Sequence, residues 1–285
     1  MQNRRISRQK ALPSIHLHSI KSDFKDFHTT ATAGNFGATA AVARILKLDV
    51  ERTIWAFGTA GTQAAGLWEY MAQATHSKQI HTAKANFNGL LSAYTARDGL
   101  TGPTDILGGR KGMAACLADD TYPFALDDKL GERFTLVETS FKWHASCRHT
   151  HPSVDGLLDL MSQSNIKFQD IERVDCGVYQ ATLDILARGG VQSVHHSKFS
   201  MGFVLAVAAK YGSATINDFN EETLREMDLR EFMDRVEMYL DKQVDDAFPR
   251  QWMARVKVTT KDGKVFETLV ETPKGDPERT LTKYV

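Results

Sequence analysis

Cysteine is scarce in this sequence: three among 285 residues, Cys116, Cys147 and Cys176, with no paired spacing. An odd count of thiols and the lack of an apolar secretory segment argue against a disulfide framework and lead us to expect a reducing, cytoplasmic compartment. Long apolar runs are missing as well; none approaches the ~18 residues of a membrane-spanning helix, so no membrane partner is expected. Net charge is zero, Lys+Arg 35 against Asp+Glu 35. That balance removes the basic surplus on which nucleic-acid affinity would rest. Neither G-x-G-x-x-G nor G-x-x-x-x-G-K-[ST] occurs, and the Gly- and Pro-bearing stretch 99–112 reads as a loop. What remains, 42% hydrophobic and 25% charged residues, is the composition of an ordinary globular protein. A chain of this length buries roughly 70–75% of its unfolded surface with no disulfide or metal staple.

Acid is locally absent in two places. From Tyr70 to Arg97 there is no Asp or Glu, yet His76, Lys78, His81, Lys84 and Arg97 fall there. Between Ser140 and His151 the chain carries Lys142, His144, Arg148, His149 and His151, again without a carboxylate. Such windows, interleaved with small and apolar residues, suit a partly buried cleft that attracts anions. The opposite bias runs from Asp218 to Asp246, where eleven acids meet four cations; this reads as a solvated helical face. A lysine in a partly dry cleft can hold a substrate carboxylate or, with its pKa lowered, exchange protons, and histidine exchanges protons near neutrality without help. His144, Cys147, His149 and His151 show neither the paired C-x₂₋₄-C nor the H-E-x-x-H spacing of zinc sites, so no metal is expected. A nucleophilic pair of Cys147 with His149 or His144 is a second reading of the same residues. His28, just before the first helix, is either a group of the site or only the residue that leads into that helix.

Residues 1–26 read as an atypical leader, with Arg4, Arg5, Arg8 and Lys10 before the first acid. Helices are expected over Ala31–Lys47, Arg52–Gly66 and Ala83–Ala96, the last closing at Asp98-Gly99. Their many Ala and Gly residues predict close backbone packing. Beyond about residue 133 the texture turns mixed: Phe134–Lys142 and Ile171–Tyr179 read as strands, with helices over Val154–Met161 and Phe199–Lys210. The stretch 252–271 alternates apolar and polar residues about Asp262-Gly263 and reads as a β-hairpin. The expected fold is α+β: a mainly helical domain (27–133), a smaller α+β lid domain with a C-terminal hairpin (134–275), and a tail (276–285). A cleft between two such parts is a usual place for a small-molecule site.

Several segments resemble one known family in order and wording: FHTTATAGNFGATAAVARILKLD (27–49), GTAGTQAAGLWE (58–69), SKQIHTAKANFNGLLSAYTARDGLTGP (77–103), FKWHASCRHTHPSVDG (141–156), KFSMGFVLAVAAKYG (198–212) and GKVFETLVETPKGDPE (263–278). The resemblance is to the MmgE/PrpD family, which includes 2-methylcitrate dehydratase, cis-aconitate decarboxylase and iminodisuccinate epimerase. It implies a lyase that uses no cofactor and acts on a small di- or tricarboxylate such as 2-methylcitrate, and a homodimer. Decarboxylation or epimerisation of a related dicarboxylate is the alternative. By resemblance His28, Lys78 and Lys142 are catalytic, and His81, Cys147, His151 and Tyr179 line the substrate pocket. The family also carries an N-terminal helical segment with an Asp and a His of catalytic or binding role that residues 1–26 do not resemble. The chain therefore reads as the C-terminal portion of a family member, with an inactive dicarboxylate-binding remnant as a further reading.

Overall fold

A computed structural model of the chain describes residues 27–71, 75–117, 132, 134–186 and 190–281. The chain divides into two compact units, one up to Glu138 and one from Thr139.

Among the described residues the first unit has three main helices, α1 (Thr29–Ile45), α2 (Val50–Gly61) and α3 (Lys78–Arg97), with a short α4 (Met113–Leu117). Asp49 caps α2, accepting from the Arg52 backbone N–H at 2.8 Å, which satisfies one of the donors a helix start leaves open. The expected closeness of the helices is observed. A Cβ on Gly89 of α3 would lie 2.4 Å from the Ala38 Cβ of α1 and 2.7 Å from the Thr39 backbone nitrogen, so no larger residue fits there. Across the same seam Asn88 Nδ2 donates to Asn35 Oδ1 at 2.9 Å, both side chains buried; a satisfied buried pair of this kind fixes the register of two smooth helices. Helix α3 begins five residues earlier than the sequence suggested and ends at Arg97, before Asp98-Gly99. Residues 98–112 are turns and loop, as expected.

The second unit has a four-stranded sheet in the order β2-β1-β3-β4: β1 (Ile171–Val178), β2 (Val236–Leu240), β3 (Ala254–Thr260) and β4 (Val265–Val270). Strand β1 pairs parallel with β2 and antiparallel with β3, with Val174 opposite both Val236 and Val258. The hairpin β3–β4 turns at Asp262-Gly263, with Gly263 at φ +82° and Thr260 N–H donating to Lys264 O at 2.9 Å. Among the described residues seven helices accompany the sheet: α5 (His151–Gln163), α6 (Gln180–Ile185), α7 (Val194–Ser197), α8 (Met201–Tyr211), α9 (Glu221–Arg225), α10 (Met227–Met233) and α11 (Lys242–Ala247). Val174, Cys176, Val256 and Val258 form one apolar face, packed with Val154 and Leu157 of α5 and Phe203, Val204 and Val207 of α8 in a single core. Helix α8 is apolar all round and accordingly buried. Ser200 caps its start, accepting from Phe203 N–H at 3.3 Å, and Gly212 at φ +73° closes it.

Two expectations are corrected. Phe134–Lys142 is not a strand: Thr135–Glu138 is a 3₁₀ turn and the rest is irregular, with Leu136 and Val137 exposed. Its β-branched residues meet no partner strand among the described residues, and β-propensity without pairing carries little weight. Nor is Asp218–Asp246 one helical face. It holds α9, α10, β2 and α11, and several of its acids serve in caps and ion pairs: Asp241 caps α11 and pairs with Arg255 at 2.7 Å, and Glu226 pairs with Lys210. Among the described residues no helix is long and apolar enough to cross a membrane.

Candidate active site

In the first unit the His28 backbone is pinned by Phe27, which bridges to Leu67, and by its own N–H, which donates to Gly66 O at 2.8 Å. Its side chain meets the start of α3. His28 Nδ1 and His81 Nδ1 lie 3.0 Å apart, so one ring must donate and the other accept; a proton on both facing nitrogens would place two donors in contact. Tyr70 stands edge-on to both imidazoles, at 5.7 Å from His28 and 5.2 Å from His81, and Trp68 stacks on Tyr70 at 5.8 Å. The Lys78 ammonium lies 5.8 Å from the Tyr70 ring centre, a cation–π distance. Lys78 and His81 are three apart on α3 and so share a flank of its first turn. Partial burial, helped by Lys84 and Lys78, holds the His81 pKa below the usual imidazole range. A ring of that kind is neutral at pH 7 and can accept a proton.

In the second unit residues 140–151 form an irregular segment leading into α5. Lys142 is exposed, and its Nζ donates to Ser146 O at 3.1 Å. His144 is buried with Nε2 2.9 Å from Asp155 Oδ1, at 2% and 5% side-chain exposure. The other oxygen of Asp155 accepts from the Lys274 backbone N–H at 2.6 Å. Cys147 is buried, its backbone N–H donating to Lys198 O at 2.8 Å. Arg148 pairs with Asp276, which also accepts from Ser140 Oγ, and its guanidinium covers the Trp252 ring at 5.5 Å. His149 Nδ1 lies 2.7 Å from the Tyr179 hydroxyl while its ring stacks on Trp252 at 4.8 Å. Tyr179 is fully buried against Phe248, ring centres 4.2 Å apart, and burial raises its pKa so that the hydroxyl keeps its proton.

His151, the first residue of α5, is fully buried with its ring 5.0 Å from that of His144. Burial first, then the neighbouring His144, Arg148 and Lys142, pushes its pKa down to about 2, so it is a neutral imidazole at any physiological pH. By contrast Cys176, fully buried in the sheet, has its thiol pushed up to about 12 and is packing rather than chemistry.

The segment is held from behind by residues 274–279. Phe141 N–H donates to Gly275 O at 2.7 Å, and Gly275, at φ +96°, approaches so closely that a Cβ on it would lie 2.3 Å from Phe141 O. Only glycine meets both demands. Asp155 and Asp276 then bolt the same loop to His144, Ser140 and Arg148.

Of the residues singled out in the sequence, His28, Lys78 and His81 are thus grouped about Tyr70 in one unit. Lys142, Cys147 and His151 share a segment in the other, which Tyr179 reaches through His149. Sequence reasoning missed Trp68, Tyr70, Asp155, Trp252 and Asp276. Trp68, Asp155 and Asp276 sit inside quoted family-like segments, which was the available signal; Tyr70 and Trp252 lie outside them. Among the described residues no three His, Cys, Asp or Glu side chains are arranged as a metal-ligand set.

Comparison with known proteins matches residues 14–125 to the MmgE/PrpD N-terminal domain and residues 144–284 to the MmgE/PrpD C-terminal domain. The first match begins inside the stretch 1–26 that the sequence reading set aside as a leader, and residues 14–26 lie outside those described. Among curated proteins the chain is similar to the human cis-aconitate decarboxylase, 23% identical over an alignment of 284 residues that covers 94% of this chain and 56% of that protein. It is similar to the same degree, 23% over 276 residues, to the cis-aconitate decarboxylase-like protein oryM of Aspergillus oryzae, covering 89% of this chain and 55% of that protein. The chain spans about half the length of these relatives.

Proposed function

The chain belongs to the MmgE/PrpD family, and we propose that it is a lyase acting on a small di- or tricarboxylate by removing or releasing a group next to a carboxylate. The observation that carries this reading is the pairing, in the first unit, of a neutral imidazole with a lysine: His81 and Lys78 share the first turn of α3, with His81 Nδ1 3.0 Å from His28 Nδ1. Proton abstraction next to a carboxylate builds an enolate-like dianion, and a preorganised cation beside an uncharged base is what lowers that barrier.

For dehydration of a 2-methylcitrate-type substrate, an imidazole of the His28–His81 pair takes the α-proton. The C–H electrons form the double bond, and hydroxide leaves from the neighbouring carbon as water once an acid protonates it. Lys78, on the same turn as His81, is the cation for a substrate carboxylate in the first unit; in the second unit Lys142 is the corresponding cation, with Cys147 and His151 on the same segment.

A second reading, decarboxylation of cis-aconitate, is favoured by the names of the two relatives. There the bond to a carboxylate breaks, CO₂ leaves, and the electron pair is protonated at carbon by the same acid. Incubation of the full chain with 2-methylcitrate, citrate and cis-aconitate, followed by NMR of the products in deuterated water, separates the readings. Dehydration conserves all carbons, decarboxylation loses one, and epimerisation exchanges the α-proton without either. No turnover of any of the three would refute the lyase reading.

A further inference from the structure

Lys142 stands in a run of residues tied down on both sides of it. Ser140 Oγ donates to Asp276, Phe141 N–H donates to Gly275 O at 2.7 Å, and the Lys274 ammonium lies 4.0 Å from the centre of the Trp143 ring, a cation–π contact. His144 is held by Asp155, whose other oxygen takes the Lys274 backbone N–H. Further along, Arg148 pairs with the same Asp276. The Lys142 side chain is left out of these ties. Among the described residues its hydrogen bond is to Ser146 O at 3.1 Å, within its own segment, and the residue is exposed.

Packing alone does not explain so many ties. Phe141 is 62% exposed and Trp143 36%, so residues 274–276 cover no core at this point; they fix a stretch of surface. An irregular segment without a ladder of backbone hydrogen bonds opens readily, and a lysine on it keeps its place only through ties from elsewhere.

We infer that Asp276 is a positioning residue for Lys142. It grips the segment at Ser140, two residues before the lysine, and at Arg148, six residues after it, and so presents the ammonium at one place. The inference rests on the proposed role of Lys142 as the cation for a substrate carboxylate. An ammonium on a flexible four-carbon stem follows every shift of its backbone, and a misplacement of about 1 Å can lower a rate about 100-fold. The Arg148 end is built to resist such a shift. The guanidinium is held on one edge by the Asp276 carboxylate and on its face by the Trp252 ring at 5.5 Å, a planar grip that a point charge could not supply. Both members of the ion pair are largely shielded from water, at 13% and 12% side-chain exposure, where salt screens it little.

A double-mutant cycle on the full chain tests this. Asp276→Ala is expected to lower kcat/KM on the accepted carboxylate at least about 10-fold. With Lys142 already replaced by Ala, the same change should lower it less than about threefold, because no ammonium is left to misplace. A merely structural role would lower both backgrounds alike. Ser140→Ala removes one tie at an exposed residue, so it should fold even where Asp276→Ala does not. It is expected to lower kcat/KM at least about threefold, and only where Lys142 is present. Asp159→Ala, at an exposed position on α5, should leave the kinetics unchanged.

A second readout needs no turnover. Trace labelling with acetic anhydride, read by mass spectrometry, compares Lys142 with Lys261 on the hairpin turn. Loosening the segment frees the ammonium from Ser146 O, so the ratio of Lys142 to Lys261 acetylation is expected to rise about threefold or more in Asp276→Ala and to rise also in Ser140→Ala. A wild type that converts no carboxylate, together with a raised ratio, would refute the lyase reading and leave Asp276 as the mount of Lys142. An unchanged ratio in both variants, or losses that simply add in the cycle, would overturn the inference.

Discussion

Asp155 is the residue whose loss should be felt most in the second unit. It is 5% exposed and takes two hydrogen bonds, from His144 Nε2 at 2.9 Å and from the Lys274 backbone N–H at 2.6 Å. Asp155→Ala leaves both donors buried without their acceptor. Each bond to a charged acceptor contributes about 1.5–3 kcal/mol, and breaking one partner of a buried pair costs about 3–5 kcal/mol. Against a total of about 5–15 kcal/mol this is a large fraction. The melting temperature of the second unit should fall by roughly 10 °C. Differential scanning calorimetry is the suitable assay, since two units can melt as separate transitions and only the one containing Asp155 should move. Asp159, one turn further along α5, is the control. It lies 3.7 Å from Arg279 at 46% exposure, and its replacement by Ala should cost less than about 0.5 kcal/mol. Asp155→Asn keeps the shape but turns one acceptor into a donor facing a donor, so it should fall nearer Ala than wild type. If Asp155→Ala costs no more than Asp159→Ala, the reasoning about this buried carboxylate is wrong.

The remaining expectations concern acid, a tight turn and a lysine. The folded His151 takes a proton only at about pH 2, whereas the unfolded ring takes one near 6.5. Between those values the unfolded state holds the extra proton, so the contribution to stability is complete above pH 6.5 and shrinks by about 1.4 kcal/mol per unit as pH falls. Urea denaturation at several pH values should show His151→Gln flattening this slope, and an unchanged slope would count against a neutral buried ring. Gly275→Ala, combining φ +96° with a Cβ 2.3 Å from Phe141 O, should cost about 2–4 kcal/mol. Gly263→Ala, at φ +82° with open space around it, should cost only about 1 kcal/mol. Equal losses in denaturant titrations would show that the close approach is relaxed in solution. Lys142→Ala should lower kcat/KM on the accepted carboxylate by at least about 100-fold, as expected for loss of a cation from a developing charge. Lys261→Ala, on the hairpin turn, should leave it unchanged; similar kinetics for the two would remove the case for Lys142.

Local chemistry made part of this molecule readable in advance. The Asp262-Gly263 turn specified its hairpin because few dipeptides accept that backbone, and the Ala- and Gly-rich helices announced their closeness because nothing in them could hold neighbours apart. Phe134–Lys142 misled because β-branched residues report a preference that only a pairing strand can realise. The acidic stretch misled for a related reason: the partners that break it up, Lys210 and Arg255, lie outside it, and periodicity cannot see across the fold. For the candidate site the chain's acid-free windows pointed to the lysines and histidines. What each histidine would touch was hidden, since His28 meets His81, His144 meets Asp155 and His149 meets Tyr179 over separations of 53, 11 and 30 residues.

The loop 274–279 also constrains the order in which the second unit can be made. Residues 140–151 leave the ribosome more than a hundred residues before Asp276, yet Ser140 and Arg148 find their carboxylate only on that late loop. At about 5–20 residues per second the early segment waits several seconds, its cations exposed to whatever anions are nearby. Until the last turn emerges, the nascent chain carries the lysine and histidines of this segment without the strut that fixes their spacing.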